Sequence, residues 1–168
     1  MAYLLDTDVF IAAKNLHYGM DFCPAFWDWL VLANAEARVF SIERVVEELG
    51  EVDDDLRNWA RGRGDGFFLE ADETALPALG RIAEWVNAHP RYSPAAKATF
   101  LDAADYYLIA QALAGGHTLV THEKPENSIH RVKIPSVCLA LKIPFSSPWD
   151  MLRRERARFV LPEGVQVA

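Results

Sequence analysis

Short apolar runs alternate with stretches of helical periodicity along almost the whole chain. Tyr3–Asp6 is a brief apolar run closed by an acid, the pattern of a buried parallel strand. A helix can begin at Val9 and run to about Lys14, with Asp8 as its cap. Phe22–Ala37 carries Phe26, Leu30 and Ala33 at helical spacing, with Pro24 near its start, where proline is tolerated. Val39–Ser41 predicts a second strand, and Glu43–Leu49 a helix with Val45, Val46 and Leu49 inward, stopped by Gly50. Asp53–Arg61 predicts another helix, broken by Gly62, Gly64 and Gly66 before a strand at Phe67–Leu69.

The second half continues the alternation. From Asp72 to about Ala88 the apolar stripe Leu76, Leu79, Ile82, Ala83 and Val86 predicts a helix, and His89–Ser93 is the clearest loop. One long helix is expected from Pro94 or Ala95 to Ala114, closed by Gly115-Gly116. Thr118–Thr121 and Val132–Ile134 read as strands, Ser136–Leu141 as a short helix, and Trp149–Phe159 as a final amphipathic one. Strands separated by helices throughout predict an α/β fold with a mainly parallel sheet. In such sheets the active crevice lies at the carboxyl ends of the strands.

Composition narrows the class without changing this picture. The 168 residues, 51% apolar and 24% charged, suit one domain that needs no disulfide to fold. The longest stretch free of Asp, Glu, Lys and Arg, Tyr106–His122, is interrupted by Gly115, Gly116 and His117, so no membrane span is expected. The N-terminus has no basic region before its apolar residues and reaches an acid at Asp6, which speaks against a signal peptide. Cys23 and Cys138 make no disulfide framework, and the cytoplasm is the expected compartment. A net charge of −7 argues against a general nucleic-acid coat protein, although Arg153, Arg154, Arg156 and Arg158 form a local basic run.

Acids recur where the strands end. Asp6 closes the first strand, with Asp8 beside it; Glu47 and Glu48 follow the second by one short helix. Asp102 and Asp105 stand three apart on the expected long helix, and Glu123 comes just after Val120-Thr121. Carboxylates gathered on one rim repel one another unless a cation neutralises them. Oxygen-only ligation points to Mg²⁺ or Mn²⁺ rather than zinc. Such an ion suits phosphodiester hydrolysis.

Here the motifs reach a known family. Leu4-Leu5-Asp6-Thr7-Asp8-Val9-Phe10-Ile11 resembles the opening strand of PIN-domain (VapC-like) ribonucleases, and Ser41-Ile42-Glu43-Arg44-Val45-Val46-Glu47-Glu48-Leu49 their second motif, which selects Glu48 as the acid before Leu. The run from Asp105 through Ala110, Gly116 and Leu119-Val120-Thr121 to Glu123 resembles the third block. Asp21–Leu30 and Val132–Cys138 extend the similarity to a PIN subfamily carried as a domain of unknown function. The resemblance implies a three-layer α/β/α Rossmann-like PIN domain over residues 1–168. It implies a Mg²⁺- or Mn²⁺-dependent endoribonuclease with Asp6, Glu48, Asp105 and Glu123 as catalytic and metal-binding residues. It also implies RNA as substrate and the role of toxin in a toxin–antitoxin pair, with a cognate antitoxin protein as partner. Asp102 competes with Asp105 for the ligand position, and Glu123 stands where an aspartate is frequent. The resemblance further implies that Thr7 orients a ligand carboxylate or a metal-bound water, whereas Thr121 is expected to buttress the strand end by hydrogen-bonding a ligand acid.

Rival readings stay open. A non-catalytic PIN-like module that binds RNA or protein is one. A haloacid-dehalogenase-like phosphatase starting at Asp6-Thr7-Asp8 is another, although the acidic pair that such chemistry needs near the C-terminus is missing in order. Trp27 and Trp29 suit core or interface better than base stacking. The apolar surplus at Phe26, Trp27, Trp29 and Leu30 predicts a homodimer.

Overall fold

A computed structural model describes residues 1–52, 54–63 and 66–163. Five strands form one sheet, β1 (Tyr3–Leu5), β2 (Val39–Ile42), β3 (Phe68–Leu69), β4 (Thr118–Val120) and β5 (Phe145–Ser146). Their order across the sheet is β3-β2-β1-β4-β5, and every neighbouring pair is parallel. Nine α-helices among the described residues flank the sheet, giving the expected three-layer Rossmann-like α/β architecture: α1 (Thr7–Ala12), α2 (Pro24–Ala35), α3 (Glu43–Val52), α4 (Asp54–Arg61), α5 (Leu76–Ala88), α6 (Pro94–Asp102), α7 (Ala104–Gly115), α8 (Ile134–Leu141) and α9 (Pro148–Arg154). The chain leaves β1 toward β2 and β3 on one side and returns to β4 and β5 on the other. The topological switch point therefore lies between β1 and β4, where crevices form in such sheets.

The sheet is short because its strands need only be long enough to be covered. Leu4, Leu5, Val39, Ile42, Leu119 and Val120 are fully buried, as strands with helices on both faces require. Phe10 of α1 packs on Trp59 and Phe67, ring centroids 5.8 and 6.3 Å apart, and Trp59 meets Trp27 at 5.1 Å. Phe26, Trp27 and Leu30 are likewise buried, and the Trp27 indole N–H donates to the Tyr18 carbonyl at 2.7 Å. Three of the four residues behind the homodimer expectation are thus core, while Trp29 is half-buried against it.

Several boundaries differ from the sequence expectation. Asp6, not Asp8, caps α1, its carboxylate accepting from the Thr7 N–H at 2.7 Å. The helix then runs into a π-helical turn, Ala13–His17. Gly50 does not stop α3, which continues to Val52; the Gly50 carbonyl accepts from Arg57 Nε at 2.7 Å. A Cβ at Gly50 would lie 3.4 Å from that nitrogen, so the small residue lets α4 approach. No strand forms at Val132–Ile134, because Ile134-Pro135 opens α8, where proline's fixed φ suits the first turn. The two-residue β5 takes the edge place instead. The last helix ends at Arg154, and Arg156 follows with φ of 54°. Gly116 does close α7, at φ of 64°, a conformation glycine adopts freely. Asp53 and Gly64 lie outside the described residues.

The largest correction concerns the long helix. It is two helices, broken at Ala103, which is extended at φ −79° and ψ 157°. The break starts α7 afresh at Ala104, with Asp105 in its first turn. Asp102 ends α6 exposed, and Asp105 is half-buried.

Candidate metal centre

The acids meet at the switch point. Asp6 follows β1 directly and is buried, 4% exposed. Its Oδ1 accepts from the Thr7 N–H, and its Oδ2 from the Thr121 hydroxyl at 2.9 Å across the β1–β4 pair. Asp8, one turn into α1, accepts the His122 N–H at 3.2 Å and lies 3.2 Å from the Thr121 hydroxyl. A hydroxyl has one proton to donate, so the two aspartates compete for it. Thr121 Oγ1 in turn accepts the Glu123 N–H at 3.1 Å.

Glu48 reaches the same rim from α3. Its Oε2 accepts from the Thr7 hydroxyl and its Oε1 from the Ala104 N–H at 3.3 Å. That second contact satisfies one of the orphan donors that the break at Ala103 creates. Glu47 points away to solvent and pairs with Arg44 at 3.6 Å. Glu123 closes the far side, with side chain 8% exposed; its Oε1 faces Arg131 at 2.9 Å and Lys133 at 3.3 Å, and its Oε2 accepts the Ile134 N–H at 2.9 Å. No hydrogen bond holds the Asp105 carboxylate among the described residues. A cleft of about 220 Å³, lined by Phe100, Ala103, Asp105, His130 and Arg131, opens beside it.

Electrostatics show that these side chains form one cluster. Burial pushes the Asp6 carboxyl well above the usual range, and the charges of Asp8, Asp105 and Glu123 push it the same way; the Thr121 hydroxyl opposes them. Asp105 is raised to about 7, by burial first, then by Glu123 and Glu48, with Arg131 opposing and Asp8 adding to the rise. Burial also raises Asp8, against the His122 N–H and the Asp6 carboxyl, both of which hydrogen-bond to it. Asp6 and Asp8 thus influence each other's titration through the shared Thr121 hydroxyl and their proximity. His122, beside Asp8, is depressed by its own burial.

Asp6, Glu48, Asp105 and Glu123 are therefore brought together, whereas Asp102 is not. Sequence reasoning placed Asp8 as a cap and did not mark Arg131 and Lys133, whose separations of eight and ten residues from Glu123 have no periodic signature. A cluster of carboxylates in which Asp6 and Asp105 are held up by burial and by their acidic neighbours, supplying only oxygen donors, suits a hard dication such as Mg²⁺ or Mn²⁺. The oxygens of Asp6, Asp8, Glu48 and Glu123 are turned toward hydroxyls and N–H groups, and among the described residues no three His, Cys, Asp or Glu side chains already stand as a ligand set. No helix among the described residues is long and apolar enough to cross a membrane.

Comparison with curated proteins finds no match, and neither does comparison with solved structures. One family model matches residues 3–159, nearly the whole chain. The chain belongs to that family, described as a domain of unknown function (DUF4411).

Proposed function

We propose that this protein is a divalent-cation-dependent endoribonuclease of PIN type, hydrolysing RNA phosphodiester bonds. One observation carries the reading: the carboxylates of Asp6, Asp8, Glu48, Asp105 and Glu123 gather at the switch point of a parallel sheet, where burial and the neighbouring carboxylates hold Asp6 and Asp105 above the usual range. Such mutual repulsion is a standing cost that a bound dication relieves. Asp6, Glu48 and Asp105 would hold Mg²⁺ or Mn²⁺, and Glu123 supports them. When bound, the cation supplies a lowered pKa for attacking water and charge compensation at the departing oxygen. The chain's own groups do the positioning. Thr7 orients Glu48, Thr121 orients Asp6, and Glu123 anchors Arg131 and Lys133, cations of the kind that engage phosphate. The motifs around Asp6, Glu48 and Asp105 further support a toxin role, with an antitoxin protein as partner, in the cytoplasm.

Structured RNAs, tRNA included, incubated with Mn²⁺ should be cut internally, and EDTA or Asp6→Asn should abolish the cut. Cleavage that persists in EDTA overturns the metal mechanism. The second reading, a non-catalytic RNA- or protein-binding module, draws on the lack of a ready ligand set; it predicts no cleavage with any divalent ion. An open reading frame for a small partner beside this gene, and growth arrest on overexpression, would support the toxin role.

A further inference from the structure

A second cleft lies along the loop that leaves the acid rim. It encloses about 320 Å³, at the lower end of the range of small-molecule sites, ~300–1,000 Å³. Trp85 and His89 stand one turn apart on and just after α5, ring centroids 5.0 Å apart, and Tyr92 packs on His89 at 4.4 Å, tilted by 30°. Facing this aromatic wall are Asn127 and Ser128 of the loop after β4, with Arg91 beside them. Leu139, 61% exposed, also borders the opening.

The loop connects this cleft to the acids. Its start, Glu123, and its end, Arg131 to Lys133, lie at the acid cluster, and the intervening Ile129 carbonyl accepts the Ser93 N–H at 3.1 Å. The same loop lines the smaller cleft beside Asp105 through His130 and Arg131. A phosphodiester chain held at Asp105 and following this loop past Arg131 would run toward the aromatic wall. We propose that this second cleft is a nucleobase subsite, taking one unpaired base of the RNA strand held at the acid rim. The inference rests on the hydrolase reading for the strand's placement, but not for the chemistry of the pocket. Stacked aromatic faces accept any base, and the polar side chains opposite supply donors and acceptors for its edge. Arg91 and Arg131 set two positive charges along this route, and among the described residues Glu126 is the one acid lining the aromatic cleft.

The test separates binding from cleavage. Adenosine 5′-monophosphate and ribose 5-phosphate are titrated into the full chain with Mg²⁺, followed by NMR of the tryptophan indoles. The nucleotide should bind about tenfold tighter than the sugar phosphate, a difference set by base stacking. Trp85→Leu and, independently, the exposed Leu139→Glu should remove that difference. Equal binding of the two compounds, or unchanged preference in Leu139→Glu, overturns the subsite. On a single-stranded RNA substrate the same variants should raise KM about tenfold with kcat little changed. RNA cleavage with the variants indistinguishable from wild type sinks the subsite and leaves the hydrolase standing. Base-dependent binding without any cleavage supports the nucleobase site and sinks the hydrolase.

Discussion

The Thr121 hydroxyl sits 2.9 Å from Asp6 Oδ2, joining the carboxyl ends of the two strands on either side of the switch point. Thr121 is buried, and its hydroxyl is also within reach of Asp8. Thr121→Val keeps the shape and deletes the donor. Asp6 then keeps the Thr7 N–H but loses its opposing influence from Thr121. We expect a stability loss of about 1–2 kcal/mol near pH 8. Thr121→Ser should restore most of it. Urea titration of the three proteins checks this, and an unchanged midpoint for the valine variant would refute the bond's importance.

The elevated Asp105 carboxyl sets a pH dependence. Its folded-state pKa, about 7, lies above the unfolded value of 3.8, so between these values the native state holds more protons. Stability from this group is therefore full at low pH and lost as pH rises through 7. Two histidines oppose it: burial depresses His117 and His122, which favours folding as pH rises through ~6.5. Comparing wild type with Asp105→Asn cancels their part. In the metal-free proteins the melting temperature of the variant should gain on wild type steadily from pH 5 to pH 8. A difference that does not change with pH would show that the Asp105 carboxyl is not raised.

Metal response should follow the same residue. A dication that binds only the folded state stabilises by about 2.7 kcal/mol at 100 times Kd, a rise of several degrees in Tm for a chain of this size. Asp105→Asn should lose most of the Mn²⁺-induced rise together with cleavage, while Asp102→Asn, at the exposed end of α6, should lose neither. The reverse result would make Asp102 the ligand.

Glu123 should behave differently from Asp105. Its carboxylate is paired with Arg131 and Lys133 and accepts a backbone N–H. Glu123→Gln leaves Lys133, 17% exposed, facing a neutral amide. We expect a loss of about 1–2 kcal/mol, discounted for the exposure of Arg131 and smaller at high salt. A variant as stable as wild type would show that the two cations gain nothing from this acid.

The parallel sheet and the acids after β1 and β4 were legible because buried strands are continuous apolar runs, with Asp6 directly after one and Glu123 three residues after the other. Glu48 needed its motif, since spacing alone did not separate it from Glu47. What stayed hidden was decided by tertiary contacts. β5 is two residues long, too short for any period to show. Val132–Ile134 has strand composition, yet its end is claimed by Pro135 and the start of α8. Pro94–Ala114 has unbroken helical composition, and nothing at Ala103 announces a break. The Ala104 N–H that the break frees finds its partner in Glu48, more than fifty residues earlier.

That break also uncouples two rotations. Each residue in an α-helix turns the chain by about 100°. Were residues 94–115 a single helix, every insertion or deletion ahead of Asp105 would swing its carboxylate around the axis and out of the cluster. With Ala103 extended and the Ala104 N–H on Glu48, the angular phase of α7 is set locally. Changes of length in α6 are absorbed at Ala103, whereas one inserted residue between Ala104 and Asp105 turns the carboxylate away. The direction of the Asp105 carboxylate therefore depends on the first turn after the break rather than on the rotation accumulated along α6.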